Sequence, residues 1–96
     1  MLEIKHQNYE TKGEFFIGED HHHLAEMTYA WAGEDQFIID HTYVDESLRG
    51  QGVGRKLLDQ AVEFARQKQL KIIPLCPFAK SVFDKDPSIH DVLRHS

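Results

Sequence analysis

Between residues 49 and 54 the chain reads Arg49-Gly50-Gln51-Gly52-Val53-Gly54, with three glycines at alternate positions between a strand-like and a helix-like segment. Glycine has no Cβ, so such a turn lets a ligand approach the backbone and lets successive N–H groups converge. Convergent N–H groups at a helix N-terminus attract phosphate, helped by the positive end of the helix dipole. Arg49 and Arg55 add local positive charge. The turn predicts a ligand that carries phosphates.

After the turn the period is helical. Val53, Leu57, Leu58, Ala61, Phe64 and Ala65 share one apolar face, and the pattern ends near Gln69. Lys71–Leu75 reads as a short strand limited by Pro74. The intervening helix is a crossover, so this strand can lie parallel to the one before the turn. Pro77 suits the first position of a last helix, with Phe78, Val82 and Phe83 on one face, and 87–96 has a weaker helical pattern.

Before the turn, apolar residues alternate. Strands are expected near 2–7, 13–18, 23–32 and 35–44, broken at Lys12-Gly13, Gly18-Glu19-Asp20 and the hairpin turn Gly33-Glu34-Asp35. The fold class is therefore α+β: an antiparallel meander of about four strands, a central helix after the glycine turn, a parallel fifth strand and a C-terminal helix. Strict alternation along the fourth strand puts Phe37, Ile39, His41 and Tyr43 on one face, and Ile38, Asp40, Thr42 and Val44 on the other. That strand is apolar early and polar late, as expected of one that opens toward a site at its C-terminal end. Met27, Tyr29 and Trp31 alternate as a core face.

Ninety-six residues make a single domain, 1–96. A formal charge of -5 argues against nucleic acid or an anionic membrane as partner. No apolar run approaches the roughly eighteen residues of a membrane span, and Met1–Tyr9 lacks the apolar core of a signal peptide. The one cysteine, Cys76, cannot form an internal disulfide, which fits a reducing compartment. Cytoplasmic location is the expectation. His21-His22-His23 invites a metal reading, but neighbours on a strand point to opposite faces and no Cys/His spacing completes a zinc set, so no metal is expected.

Which phosphate ligand the turn takes is narrowed by missing residues. A P-loop needs Gly-Lys followed by a hydroxyl residue, whereas Arg55, Lys56 and Leu57 follow Gly54. In a dinucleotide fingerprint the third glycine comes one residue later, and an acidic residue ends the next strand, where this chain has Lys71.

The run Arg49-x-x-Gly52-x-Gly54 after a strand ending in Val44 resembles the acetyl-CoA signature of the GCN5-related N-acetyltransferases. The strings Asp40–Val44, Leu48–Gly54 and Pro74–Phe78 together resemble the compact YjdJ-like branch of that superfamily, over nearly the whole chain. The resemblance implies that acetyl-CoA, or coenzyme A, is held by backbone N–H groups from Leu48 through Arg49, Gly50, Gln51, Gly52, Val53 and Gly54 to Arg55. It implies that Val44 presents backbone to the pantetheine or thioester, that Phe83 adds a contact from the last helix, and that the cofactor enters where strands four and five splay apart. It also implies transfer of the acetyl group to an amine, with an acetyl-CoA-binding module that senses or carries without transfer as the alternative.

Acetyl transfer needs a neutral amine, a polarised carbonyl and a proton for the departing thiolate. Larger family members often supply that proton from a tyrosine after strand five, but 78–84 contains none. Cys76 stands where strand five should meet the last helix, a place where a thiol is activated; it is the candidate acid or acyl acceptor. His41, near the open end of strand four, is the candidate base or orienting residue. Glu34, Asp35, Asp45 and Glu46 are loop carboxylates able to attract a cationic amine. Only a turn separates the first two strands and little chain follows Leu93, so the acceptor half is expected to be reduced. The acceptor is unspecified: a small molecule or a protein.

Overall fold

Alternating apolar residues build four antiparallel strands: β1 (Lys5–Asn8), β2 (Lys12–Glu19), β3 (His22–Trp31) and β4 (Gln36–Val44). A 3-10 turn, Glu46–Leu48, leads through the glycines into α1 (Val53–Lys68), followed by β5 (Lys71–Pro74), α2 (Pro77–Lys85) and a second 3-10 segment, Pro87–Val92. The structure, a computed structural model, describes residues 3–94. The expected start of the first strand at residue 2 and the last two residues of the weak helical pattern lie outside them. Strands follow chain order across the sheet, and β5 pairs parallel to β4. The mixed five-stranded sheet with its two helices is the fold that the sequence pattern implied.

One face of the sheet carries the core. Phe15 and Ile17 of β2, Met27 and Tyr29 of β3, and Phe37 and Ile39 of β4 meet Leu57, Leu58, Ala61 and Ala65 of α1 and Ala79 and Phe83 of α2. The α1 stripe is apolar at the helical period, so each fully buried leucine contributes about 1.5–3 kcal/mol. The helix stops at Gln69, whose left-handed φ of 58° lets its N–H and that of Leu70 return to the last carbonyls. The first helix thus ends where the apolar period stops.

Gly13 is not a turn residue. The turn is made at Tyr9–Thr11, with the Tyr9 N–H donating to the Lys12 carbonyl at 2.7 Å, and Gly13 lies inside β2 opposite Tyr29. A Cβ there would stand 2.3 Å from the Tyr29 ring, so the glycine makes room for a buried aromatic.

Two bulges break the strict alternation. In β3, Ala25 pairs with Ile17 but His23 pairs with Gly18, leaving Leu24 as an extra residue; Gly18 accommodates this at φ 119°. In β4, Ile39 pairs with Tyr29 but His41 pairs with Thr28, leaving Asp40 extra. Each extra residue reverses which side chains face the core beyond it. The expected grouping of Phe37, Ile39, His41 and Tyr43 on one face is therefore corrected. Phe37 and Ile39 are buried, His41 and Tyr43 are exposed, and Thr42 and Val44 turn inward.

Candidate functional site

The β4–β5 ladder stops at the pair Ile39–Pro74, although β4 continues to Val44. Pro74 has no N–H to extend the ladder, and the next two amides, Leu75 and Cys76, both donate to the Ile39 carbonyl at 3.1 and 2.9 Å. Beyond Ile39, β4 has no parallel neighbour among the described residues. A cleft of about 370 Å³ opens there, lined by Thr42 and Val44 of β4, the turn from Leu48 to Gly54 except Gln51, and Arg55 and Phe78.

The floor of the cleft is the turn itself. Gly50 and Gly52 have φ of 83° and 70°, values that side chains disfavour, and a Cβ on either would meet nothing within 4 Å. Backbone is thus presented to open space. Gly52 is also the N-cap of α1 and provides no side-chain acceptor. The first helical N–H groups, Val53, Gly54 and Arg55, have no intrahelical partner and face outward at the positive end of a sixteen-residue helix. Gly54 serves a different end: a Cβ there would stand 2.9 Å from the Phe78 ring, so its absence lets α2 close against α1. Leu48 and Val53 are buried and anchor the turn at both sides, while Gln51 at its tip is exposed. Asp45 accepts from the Ser47 hydroxyl and N–H at 2.6 and 3.0 Å, fixing the approach to the turn; these bonds hold its carboxyl below the ordinary range.

The two arginines differ. Arg55 donates from Nε to Asp59 at 2.8 Å and from Nη2 to Asp86 at 2.6 Å, so its charge is matched by two carboxylates and its pKa is raised. Asp86 is pulled down to about 2, first by the Ser88 hydroxyl and then by Arg55. What Arg55 offers a ligand is its N–H. Arg49 forms no ion pair among the described residues and remains the cation at the cleft.

Cys76 is the N-cap of α2 and is 5% exposed. Its thiol donates to Thr42 Oγ1 at 3.2 Å. Thr42 borders the cleft because the Asp40 bulge turned it inward; the same bulge leaves His41 on the other face, with Nε2 3.7 Å from Glu26. The structure therefore brings Cys76 to Thr42 and does not bring it to His41. Phe83 is buried in the core at 1% exposure, and the aromatic ring at the cleft is Phe78. Sequence reasoning missed both Thr42 and Phe78. The second had a signal: Phe78 and Gly54, a large ring and a missing side chain on facing helices.

Residues 14–92 match the family model of the GCN5-related N-acetyl-transferases. No curated protein matches the sequence. Among solved structures, a GCN5-like protein from Staphylococcus aureus, determined by NMR, is 46% identical with a TM-score of 0.77, over 99% of this chain and 90% of that one. The ribosomal-protein-alanine N-acetyltransferase of Brucella melitensis shares the fold at 13% identity and a TM-score of 0.65, over 92% of this chain and 65% of that one. An Elizabethkingia anophelis acetyltransferase with acetyl-CoA bound shares it at 14% identity and a TM-score of 0.59, with 78% and 52% covered. The chain thus spans most of the Staphylococcus protein and about half to two thirds of these larger ones.

Proposed function

The chain belongs to the GCN5-related N-acetyltransferase family, and on that premise we propose that its cleft binds acetyl-CoA and passes the acetyl group to an amine. The observation that carries the reading is the pair Gly50 and Gly52, left-handed and open, below three unpartnered N–H groups of α1. Such a cradle fits a pyrophosphate, and the free cation of Arg49 fits its charge. The stretch of β4 from Thr42 to Val44, paired with β3 on one edge and open on the other, would run beside the pantetheine. Phe78 would close the apolar wall. When bound, acetyl-CoA supplies an activated acyl thioester.

The chain's own part in the chemistry falls to Thr42 and Cys76. Thr42 is the one hydroxyl bordering the cleft among its lining residues, and it holds the buried Cys76 S–H. In this proposal the Cys76 S–H, relayed through the Thr42 hydroxyl, delivers a proton to the sulfur that leaves as its bond to the acetyl carbon breaks, and the proton shed by the acylated amine restores the thiol. Burial of Cys76 behind Thr42 favours this role over direct acceptance of the acetyl group. An acetyl mass appearing on intact protein, and absent from Cys76→Ala, would reverse that order.

Titration with coenzyme A, followed by backbone amide NMR, tests the binding. Shifts are expected at 48–55 and at Thr42–Val44, and their absence would end the proposal. Amine-dependent release of CoA thiol tests the transfer, and tight binding without release over a broad amine panel would leave only a binding module.

A further inference from the structure

The face of the sheet turned away from α1 carries a second cluster of donors. Glu26 of β3 lies between two histidines: its Oε1 is 2.9 Å from His23 Nδ1, and its Oε2 is 3.7 Å from His41 Nε2. Glu14 of β2 reaches in from the other side, with Oε1 3.9 Å from His23 Nδ1. The donor atoms of Glu14, His23 and Glu26 all lie within 4.8 Å of one another. None of these residues borders the CoA cleft.

The two bulges create the cluster. Without Leu24 as an extra residue, His23 would face away from Glu26; without Asp40, His41 would face the core. Both histidines are thereby turned onto one carboxylate. The His23 ring is fixed, stacked on Phe16 at 4.1 Å between centroids, and its Nε2 is buried without a partner among the described residues. Only Nδ1 faces the carboxylates. Among the described residues neither Glu14 nor Glu26 is paired with lysine or arginine. The neighbouring Lys5 instead donates to the Gly18 carbonyl at 2.9 Å, and the Tyr9 hydroxyl sits 3.4 Å from the far oxygen of Glu14. Two carboxylates in an acidic chain are left facing imidazole nitrogens.

We propose that Glu14, His23, Glu26 and His41 bind one divalent transition ion of the zinc class, tying β2, β3 and β4 together on the open side of the sheet. Two ligands of a tetrahedral zinc ion at bond lengths of about 2.0–2.2 Å lie about 3.4 Å apart. Glu14, His23 and Glu26, whose donor atoms are within 4.8 Å of one another, would therefore draw together, and His41, 3.7 Å from Glu26, would swing in as the fourth ligand. Two nitrogen and two carboxylate ligands suit zinc, and disfavour calcium and magnesium, which take oxygen. His41, 58% exposed, is the side from which an ion enters. The two carboxylates balance its charge.

Calorimetric titration of the full chain with zinc chloride, with a thermal melt alongside, tests the site. One ion per chain and a raised Tm are expected, with ring-nitrogen NMR shifts at His23 Nδ1 and His41 Nε2. Glu26→Gln, close in size and partly exposed, should fold and weaken binding beyond the roughly 10–100-fold that loss of an outer-shell partner costs. A double variant, His21→Gln with His22→Gln, and separately Cys76→Ser, should bind as the parent does. The proposal fails if zinc does not saturate at one per chain, if Glu26→Gln binds undiminished, or if removing Cys76, or His21 with His22, abolishes binding.

Discussion

The two halves of β4 are built on different principles. From Gln36 to Ile39 the strand is paired on both edges, buries Phe37 and Ile39, and obeys simple alternation. From Asp40 to Val44 it is paired on one edge, carries a bulge, and turns Thr42 and Val44 toward a cleft. The first half holds the fold together, and the second gives up a neighbour, leaving free the edge on which the proposed ligand would lie. Stability and binding should therefore separate along one strand.

The largest effect tests that separation directly. Phe37→Ala should cost about 3–5 kcal/mol in denaturant unfolding, because the ring is fully buried between sheet and α1. Val44→Ala should cost about 1 kcal/mol or less, while weakening coenzyme A binding. Equal stability losses at the two positions would break the comparison. Next comes Gly52→Ala. Its left-handed backbone makes alanine about 1–2 kcal/mol unfavourable, yet no neighbour obstructs the new Cβ. Coenzyme A affinity should fall by more than that strain alone explains, since the methyl group would occupy the ligand's space. Thr42→Val should be smaller in stability, about 1 kcal/mol for a thiol left without its acceptor. It should slow CoA-thiol release, and Thr42→Ser should restore it.

What could be read in advance follows the same division. The meander, the helix after the glycines and the parallel fifth strand were legible because each depends on periodicity within one segment. The glycine turn was legible for the same reason, since φ at Gly50 and Gly52 is a local matter. Thr42 was not, because the extra residue at Asp40 is defined only against its partner Thr28 across the strand pair. The histidine cluster was hidden for the same cause: His23 and Glu26 lie three residues apart, which plain alternation places on opposite faces. Phe78 and Phe83 share one apolar stripe, and only the contact with Gly54 decides which ring reaches the cleft.

The smallest predicted effect concerns how each half is held. Beside Gln36–Ile39 the neighbour is fixed by backbone hydrogen bonds, which do not titrate. Beside Asp40–Val44 the cleft walls α1 and α2 are joined instead by Arg55 and Asp86, whose carboxyl sits at about 2 against an ordinary 3.8. The Ser88 hydroxyl first and then Arg55 depress that value, so these contacts stabilise the fold fully above pH 3.8, and their contribution, the link to Arg55 included, is lost as pH falls through about 2. The pair is partly exposed, so the change is modest. Acid should thus loosen the cleft before it melts the sheet. Amide exchange followed across this range is expected to rise first at Gly54–Lys56 and at the end of α2, with β3 and the first half of β4 still protected. Asp86→Asn keeps an acceptor for Ser88 but removes the titration, so it should lose the early acid step. Simultaneous exchange in both regions would show that the two halves of β4 are not held independently.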